Sequence, residues 1–394
     1  MNTLSFFSNI SIYEWIILGL YILFFIIQLF YYLYLFRKPL QYASSNNEGS
    51  DDAIYSIGIG KELPGISIII TAKNEAENLR INLPSILNQD YPNFQVVVVN
   101  NASTDSTNDV LSSFRSNHPN LYITYIPIDS ESVNDKKLAL TVGIKAAKHD
   151  ILLFTEPDTK PLSDKWVYEY AKKFDTGIDI VLGCCQIEIN KSYFKKFILF
   201  DNLFSGVKYI SMALAKQPYM GIGRNMAFRK KLFFDNKGFS SVLNIEDGED
   251  NVFINRIATK NNVAVLASSQ SMVVTNVVNS LSSWKRVKTK YLATQKYYSG
   301  NTIKLFTFEL FSRYAFYILF TILCMIALLT PLKILALFAI LLFLFRYAVQ
   351  IIVLNKNSRV YNAGKFYFSL PLFDFLIPIA NNLFLNSSTN KSKQ

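Results

Sequence analysis

The first residues that can do chemistry close an apolar run: Ile151-Leu152-Leu153-Phe154, then Thr155, then Glu156-Pro157-Asp158. Two carboxylates at i and i+2 can present oxygen ligands to a hard divalent ion, of the kind that bridges a diphosphate. An apolar run ending in a polar turn reads as the carboxyl end of a parallel strand, where ligands of open α/β sheets gather. For the tripeptide alone the alternative is an acidic turn capping a helix that begins near Ser163. A second acidic knot, Glu246-Asp247-Gly248-Glu249-Asp250, precedes a helix expected over Asn251–Lys260. Its carboxylates either serve that helix's N-terminus or deprotonate an attacking hydroxyl. The histidines are His118 and His149, and Cys184, Cys185 and Cys324 have neither disulfide nor zinc-knuckle spacing. A histidine zinc centre and a Ser-His triad are therefore poor readings, and carboxylates are the chemical resource.

The elements that must position these acids begin at Gly65, where strands alternate with helices. Strands are expected over Ile66–Ile70, Phe94–Val99 and Leu121–Ile126 and from Ile151, and helices over Glu75–Leu87, Ser106–Ser116 and Lys136–Ala147. That alternation implies a largely parallel sheet covered on both faces. The first two strands end in Thr71-Ala72-Lys73-Asn74-Glu75 and Asn100-Asn101-Ala102-Ser103-Thr104-Asp105, where a nucleotide can lie across the crevice. Neither segment is a P-loop or a GxGxxG fingerprint, so phosphate is held another way, most economically by a divalent ion. Val181–Ile189 reads as a further strand. Ser192–Gln217 reads as a helix carrying Lys195, Lys196 and Lys208, which either lies in a lipid interface or faces the core.

Half of the residues are hydrophobic (51%), with 32 Phe and 23 Tyr in clusters, which is the composition of a membrane protein. The net charge of +11 sits mostly beside apolar segments, so anionic lipid head groups rather than nucleic acid are the expected partners. Ile12–Phe36, Glu309–Thr330 and Leu332–Leu354 are each long enough to span a bilayer. Phe366–Phe384 is a weaker fourth span, interrupted by Pro371, Asp374 and Pro378 and so kinked or re-entrant. Arg37 and Lys38 after the first span, and Lys356, Arg359 and Lys365 after the third, place those flanks in the cytoplasm. Four spans then put both termini outside and the α/β domain inside, at the inner (cytoplasmic) membrane. Arg346 inside the third span either snorkels or meets a lipid phosphate. The expected division is a membrane helix over 1–38, a flexible linker over 39–64 and the α/β domain over 65–280. Basic interfacial helices over 281–308, membrane helices over 309–386 and a polar tail over 387–394 complete it.

The order of these pieces resembles the family 2 glycosyltransferases, specifically the membrane-anchored inverting enzymes with a GT-A nucleotide-sugar domain. The resemblance covers roughly Gly65 to Ser299. It rests on Ile68-Ile69-Ile70-Thr71-Ala72-Lys73-Asn74-Glu75, Gln89-Asp90-Tyr91-Pro92-Asn93, Val99-Asn100-Asn101-Ala102-Ser103-Thr104-Asp105, Lys136-Lys137-Leu138-Ala139-Leu140 and the acidic segments. It implies that Thr71, Asn74, Glu75, Asn100, Asn101 and Asp105 border the nucleotide. Asn100 and Asn101 stand where many members have Asp, which leaves the choice between UDP and GDP open, with UDP preferred. Lys136 takes the place of the family's basic residue near the diphosphate. Glu156-Pro157-Asp158 stands for the usual Asp-Ala-Asp, so Asp158, with Glu156, holds Mg²⁺ or Mn²⁺. Arg224 and Asn225 in Gly223-Arg224-Asn225-Met226-Ala227 lie in the acceptor-side loop, and of Glu249-Asp250 the second is the general base. The basic segment Trp284-Lys285-Arg286-Val287-Lys288-Thr289-Lys290 stands where the family has Gln-x-x-Arg-Trp and lacks that pattern. Trp284, Lys288 and Lys290 are expected to face the diphosphate, the acceptor or lipid head groups. The function implied is transfer of a sugar from a nucleotide donor to a lipid-linked or saccharide acceptor of the cell envelope. A processive polysaccharide synthase and a non-catalytic membrane scaffold are the alternatives.

Overall fold

The computed structural model describes residues 11–47, 63–127, 135–174, 177–189, 192–276 and 278–389. The chain opens with helix α1 (Ile12–Phe30), whose first turn is closed by a reciprocal Ser11–Glu14 capping box, and one π turn follows over Tyr31–Leu35. Helix α2 (Lys38–Asn47) then occupies the first part of the expected linker. The polar stretch is therefore not uniformly flexible, because Tyr42 reaches the α/β domain and its hydroxyl donates to the Val265 carbonyl at 2.7 Å. The rest of that linker, 48–62, lies outside the described residues.

The repeats come next: β1 (Ile66–Ala72), α3 (Ala76–Leu87), β2 (Phe94–Asn101), α4 (Thr107–Arg115), β3 (Leu121–Ile126), α5 (Asp135–Ala146) and β4 (Ile151–Phe154). Successive strand residues point to opposite faces, so β1 sends Ile66, Ile68 and Ile70 into one core and Ile69 into the other. Both cores are dry. This two-sided burial explains why these strands read as unbroken apolar runs. Shorter elements follow: β5 (Thr159–Pro161), α6 (Trp166–Ala171), β6 (Ile180–Leu182), β7 (Cys185–Ile187), α7 (Lys195–Leu214), β8 (Met226–Arg229), α8 (Lys230–Asp235), α9 (Asn251–Ile257), β9 (Val263–Val265), β10 (Val273–Thr275) and α10 (Leu281–Thr294).

Seven strands form one sheet in the order β3-β2-β1-β4-β8-β6-β9, and a small sheet has the order β5-β10-β7. The β3, β2, β1 and β4 strands are mutually parallel, while β8 runs antiparallel to both β4 and β6. The expected single strand over Val181–Ile189 is two strands in different sheets, split at Gly183-Cys184. Only glycine fits at the break, since a Cβ on Gly183 would lie 2.2 Å from the Tyr170 hydroxyl and 2.6 Å from the Asn225 amide. Helix α7 has most of its residues inside the protein, so its core-facing alternative holds.

Three long helices close the chain, α11 (Thr302–Leu329), α12 (Lys333–Val360) and α13 (Ser369–Thr389). With α1, helices α11 and α12 are long and apolar enough to cross a membrane, and α7 also qualifies by composition. Leu328 and Leu329 are 77% and 83% exposed, an apolar surface suited to lipid rather than water. Inside this bundle Arg346 neither snorkels nor points to a lipid phosphate. Its guanidinium lies 2.9 Å from Asp374 and 2.8 Å from the Gln28 oxygen, while Arg313 reaches Asp374 at 3.1 Å and also pairs with Glu309. A buried charge is tolerated where an opposite charge and hydrogen bonds satisfy it, and Asp374 on α13 supplies that charge twice. Both ends of α13 pack on the α/β side: Phe373 contacts the rings of Phe197 and Phe200, and Phe384 joins Trp284 and Ile187.

Candidate active site

The parallel register brings the ends of β1, β2 and β4 to one edge of the sheet, with Ala72 opposite Asn100 and Ile69 opposite Phe154. Because β8 runs the other way and pairs Met226 with Phe154, the residues entering β8 reach the same edge. Asn225 fixes that entry. Its buried carboxamide accepts from Trp166 Nε1 at 2.9 Å and from the Tyr170 hydroxyl at 2.8 Å, and it donates to the Cys184 and Ser271 carbonyls. With all its polar capacity used and no exposure, Asn225 lies beneath the site as a pin rather than in it.

Arg224, held by that pin, lies against the acidic turn after β4. Its Nη2 is 2.7 Å from Glu156 Oε2 and 3.2 Å from Asp158 Oδ2. On the other side Lys136, at the start of α5, is 3.0 Å from Glu156 and 2.8 Å from Glu249. Asp250 then caps α9, with Oδ1 accepting from its own helix's Asn251 N–H at 2.6 Å and Oδ2 from the Gly223 N–H at 3.0 Å. Acids nearly a hundred residues apart therefore meet around two cations. The segment before β8, the turn after β4 and the cap of α9 share one small pocket that also contains Thr71, Thr155 and Gly223.

The electrostatics separate the acids into two kinds. Glu156 is desolvated, but Arg224 and Lys136 outweigh that and hold its carboxyl down at about 2. Glu249 is likewise desolvated, and Lys136 keeps it below the usual carboxylate range. Asp250 goes the other way: burial, reinforced by the charge of Glu249, pushes its carboxyl up to about 6. For Lys136, Glu156, Glu249 and Asp250 outweigh desolvation and keep the ammonium charged. The ion pairs join three carboxylates, Glu156, Asp158 and Glu249, to two cations, Lys136 and Arg224, so the cluster retains negative charge for a divalent ion to balance. Carboxylate oxygens such as those of Glu156 and Asp158 suit a hard cation, but the Arg224 guanidinium occupies the place between them, and among the described residues no three acid, cysteine or histidine side chains gather as a metal site. Two buried polar atoms beside it, Arg224 Nε and Thr155 Oγ1, have no hydrogen-bond partner.

The expected nucleotide-side residues form the neighbouring crevice, several of them tying its walls together. Asn74, at a positive φ of 57°, accepts from the Thr104 N–H at 2.8 Å and gives its own N–H to Ser103 Oγ at 2.9 Å. Asp105 accepts from the N–H groups of Ala76 and Thr107, so it joins the loops after β1 and β2. Asn100 Oδ1 accepts from the Ser103 N–H, and Asn101 is buried beside it. Glu75 is half-buried, and its desolvation raises its carboxyl pKa.

On α10 the expected contacts divide. Trp284 Nε1 and the Lys288 ammonium both bond the buried Asp201, at 2.9 and 2.6 Å, so neither faces head groups or the acidic pocket. Lys290 is more than half exposed and pairs with Asp247 at 3.1 Å. The residue that reaches the acids is Tyr291, which sequence reasoning missed: its hydroxyl donates to Asp250 Oδ2 at 3.4 Å. The available signal was spacing, since Trp284, Lys288 and Tyr291 stand at i, i+4 and i+7 on one helical face.

Comparison with known proteins agrees with this geometry. Residues 67–235 match the family described as Glycosyl transferase family 2. The chain is 29% identical over 99 residues to a poly-beta-1,6-N-acetyl-D-glucosamine synthase of Staphylococcus epidermidis, covering 25% of this chain and 23% of that one. It is 33% identical over 124 residues to glycosyltransferase AglE of Haloferax volcanii, covering 31% and 39% respectively. The matched stretches thus span well under half the length of these curated relatives. Among solved structures, the mannosyltransferase PcManGT from Pyrobaculum calidifontis, in complex with GDP-Man and Mn²⁺, superposes with a TM-score of 0.52. The match covers 88% of this chain and 99% of that one at 18% identity, a likeness of fold.

Proposed function

Because the chain carries a family 2 glycosyltransferase domain with a GT-A fold, we propose that it transfers a sugar from a nucleotide diphosphate to an acceptor hydroxyl at the cytoplasmic face of a membrane. The observation that supports this most is Lys136, bound at once to Glu156 of the strand-end acids and to Glu249 beside Asp250. It joins the donor acids to the base within one pocket.

In this reading the nucleotide lies over the ends of β1 and β2, bordered by Thr71, Asn74 and Glu75. Asp158 with Glu156 would hold a divalent ion, Mg²⁺ or Mn²⁺, which would supply charge neutralisation of the diphosphate. Lys136 and Arg224 add fixed positive charge where the leaving oxygen develops negative charge. Asp250, with its raised pKa, accepts the acceptor proton as the hydroxyl oxygen attacks the anomeric carbon from the face opposite the leaving diphosphate. One bond forms as the other breaks, and the anomeric configuration inverts. Tyr291, kept protonated by burial and by Asp250, orients that carboxylate through its hydroxyl.

The test is release of nucleoside diphosphate from a panel of nucleotide sugars by purified protein with Mn²⁺ and membrane lipid extract. Asp250→Asn is expected to lower turnover by about 10²–10⁴-fold with little change in donor binding. Equal turnover by that variant removes Asp250 as base. The similarity to a poly-N-acetylglucosamine synthase favours a second reading, repeated transfer, and product length separates the two.

A further inference from the structure

Glu156 and Asp158 each keep one oxygen on a fixed partner. Glu156 Oε1 lies 3.0 Å from the Lys136 ammonium, and Asp158 Oδ1 accepts from the Thr159 hydroxyl at 2.8 Å. The other oxygen of each, Oε2 and Oδ2, converges on one atom, Arg224 Nη2, at 2.7 and 3.2 Å. A guanidinium matched to a carboxylate offers two parallel N–H groups as a fork, whereas here a single nitrogen serves two carboxylates. Its Nε, buried at the same place, has no hydrogen-bond partner among the described residues. Arg224 is therefore placed by charge rather than by a full set of donors, and the point it fills is that of a small cation. A divalent ion takes carboxylate oxygens at roughly 2.0–2.6 Å, so one bound to Oε2 and Oδ2 would overlap Nη2 where it now lies. The backbone is fixed on both sides, since the Gly223 N–H is bound to Asp250 Oδ2 and the Asn225 carboxamide is clamped by Trp166 and Tyr170. The side chain has somewhere to go. With Ile222 and Tyr291, Arg224 also lines a cavity of about 300 Å³.

We propose that Arg224 is an exchangeable counter-ion: it neutralises Glu156 and Asp158 while no divalent ion is bound, and it must swing into the cavity before an ion can enter between them. The inference rests on the transferase reading above for the ion's place and adds the residue that controls its entry. Exchange breaks a contact between opposite charges in a partly buried site, so the ion alone binds weakly. A donor diphosphate offsets that loss, because its oxygens accept from the displaced guanidinium's unused donors, Nε among them. Ion and donor then load together, and the two acids are never left without a cation.

The probe is Mn²⁺, titrated against the detergent-solubilised full chain and read by the electron paramagnetic resonance of the free ion. Wild type is compared with Arg224→Met, or with Arg224→Gln should the first not fold. Without nucleotide the variant is expected to bind Mn²⁺ about tenfold or more tightly than wild type, and adding Asp158→Asn to remove that gain. In EDTA the variant's Tm should fall below that of wild type, since the two acids lose their counter-ion, and Mn²⁺ should restore it. UDP or GDP should tighten Mn²⁺ binding more in wild type than in the variant. Equal Mn²⁺ affinity of the two proteins overturns the proposal, as does a gain that survives Asp158→Asn or a nucleotide effect of the same size in both. A wild type that releases nucleoside diphosphate yet shows none of these differences overturns the counter-ion role alone. A variant that gains Mn²⁺ through Asp158 while wild type turns over no nucleotide sugar leaves that role standing and sinks the transferase reading instead.

Discussion

Asp250 occupies a position where a carboxylate is costly and useful for the same reason. Burial and the neighbouring charge of Glu249 raise its pKa to about 6, close to the value that lets a base be ionised at neutral pH and still accept a proton. Below that pH the carboxyl is protonated and cannot take the acceptor's proton. Turnover is therefore expected to rise between pH 5 and 7 and to level above, with a half-maximum near 6 in a rate profile taken at saturating donor. Glu249→Gln removes the repelling charge and leaves Lys136 closer to Asp250 alone, so the limb should move to lower pH by about half to one unit. A limb that stays in place would mean another group controls it. At this scale much was legible: Glu156, Asp158, Glu249 and Asp250 are recognisable as pairs because their spacing is local. Asn225 was misplaced, because adjacency to Arg224 does not tell which of two neighbours faces the pocket and which is clamped between Trp166 and Tyr170. Tyr291 acquires its meaning only from Asp250, which caps another helix.

Strands β1, β2 and β4 were legible because burial on both faces gives each an apolar stretch, and the edge strand β3 because its aromatic and β-branched residues fit a strand whose Tyr122 and Tyr125 stay exposed. Strands β5, β7, β9 and β10 have three residues each, too short for any period to register, and the close approach of Tyr170 and Asn225 that requires glycine at 183 comes from distant parts of the chain. The helix interfaces hold a sharper lesson. In sequence Asp374 looks like a flaw in a weak membrane span and Arg346 like an unpaid charge. In the structure each is the other's partner, with Arg313 joining them and the Tyr317 hydroxyl donating to Asp374 at 2.9 Å. Removing one member of such a buried group strands the others. Asp374→Ala is accordingly expected to cost about 3–5 kcal/mol, read as a large drop in Tm in detergent, while Arg359→Ala near the exposed end of α12 should leave Tm nearly unchanged. A Tm for Asp374→Ala within a degree of wild type would show the network to be idle.

For the whole molecule the open question is how many times the chain crosses the bilayer, and α13 decides it. Reading four spans from the sequence puts both ends of the chain outside. Helix α1 meets the start of α11, where Tyr31 donates to the Leu305 carbonyl, and the end of α12 returns to the α/β domain, where Tyr361 lies 3.2 Å from Cys184 Sγ. These three helices therefore run to and from the α/β side. Helix α13 begins beside Phe197 and Phe200, places Asp374 between Arg313 and Arg346, and ends against Trp284 and Ile187. An element whose two ends contact the same domain lies along it, with its polar middle dipping into the bundle, and we propose that α13 adds no crossing to the three that the apolar helices α1, α11 and α12 can make. In the proposed orientation the basic flanks Arg37-Lys38 and Lys356-Arg359-Lys365 hold the α/β side in the cytoplasm. A reporter after α13 is then expected to face the cytoplasm, so a fused fluorescent protein should fold and glow and a fused alkaline phosphatase should stay inactive. Active phosphatase at that position would mean that α13 spans the membrane, and it would pull Asp374 away from Arg313 and Arg346.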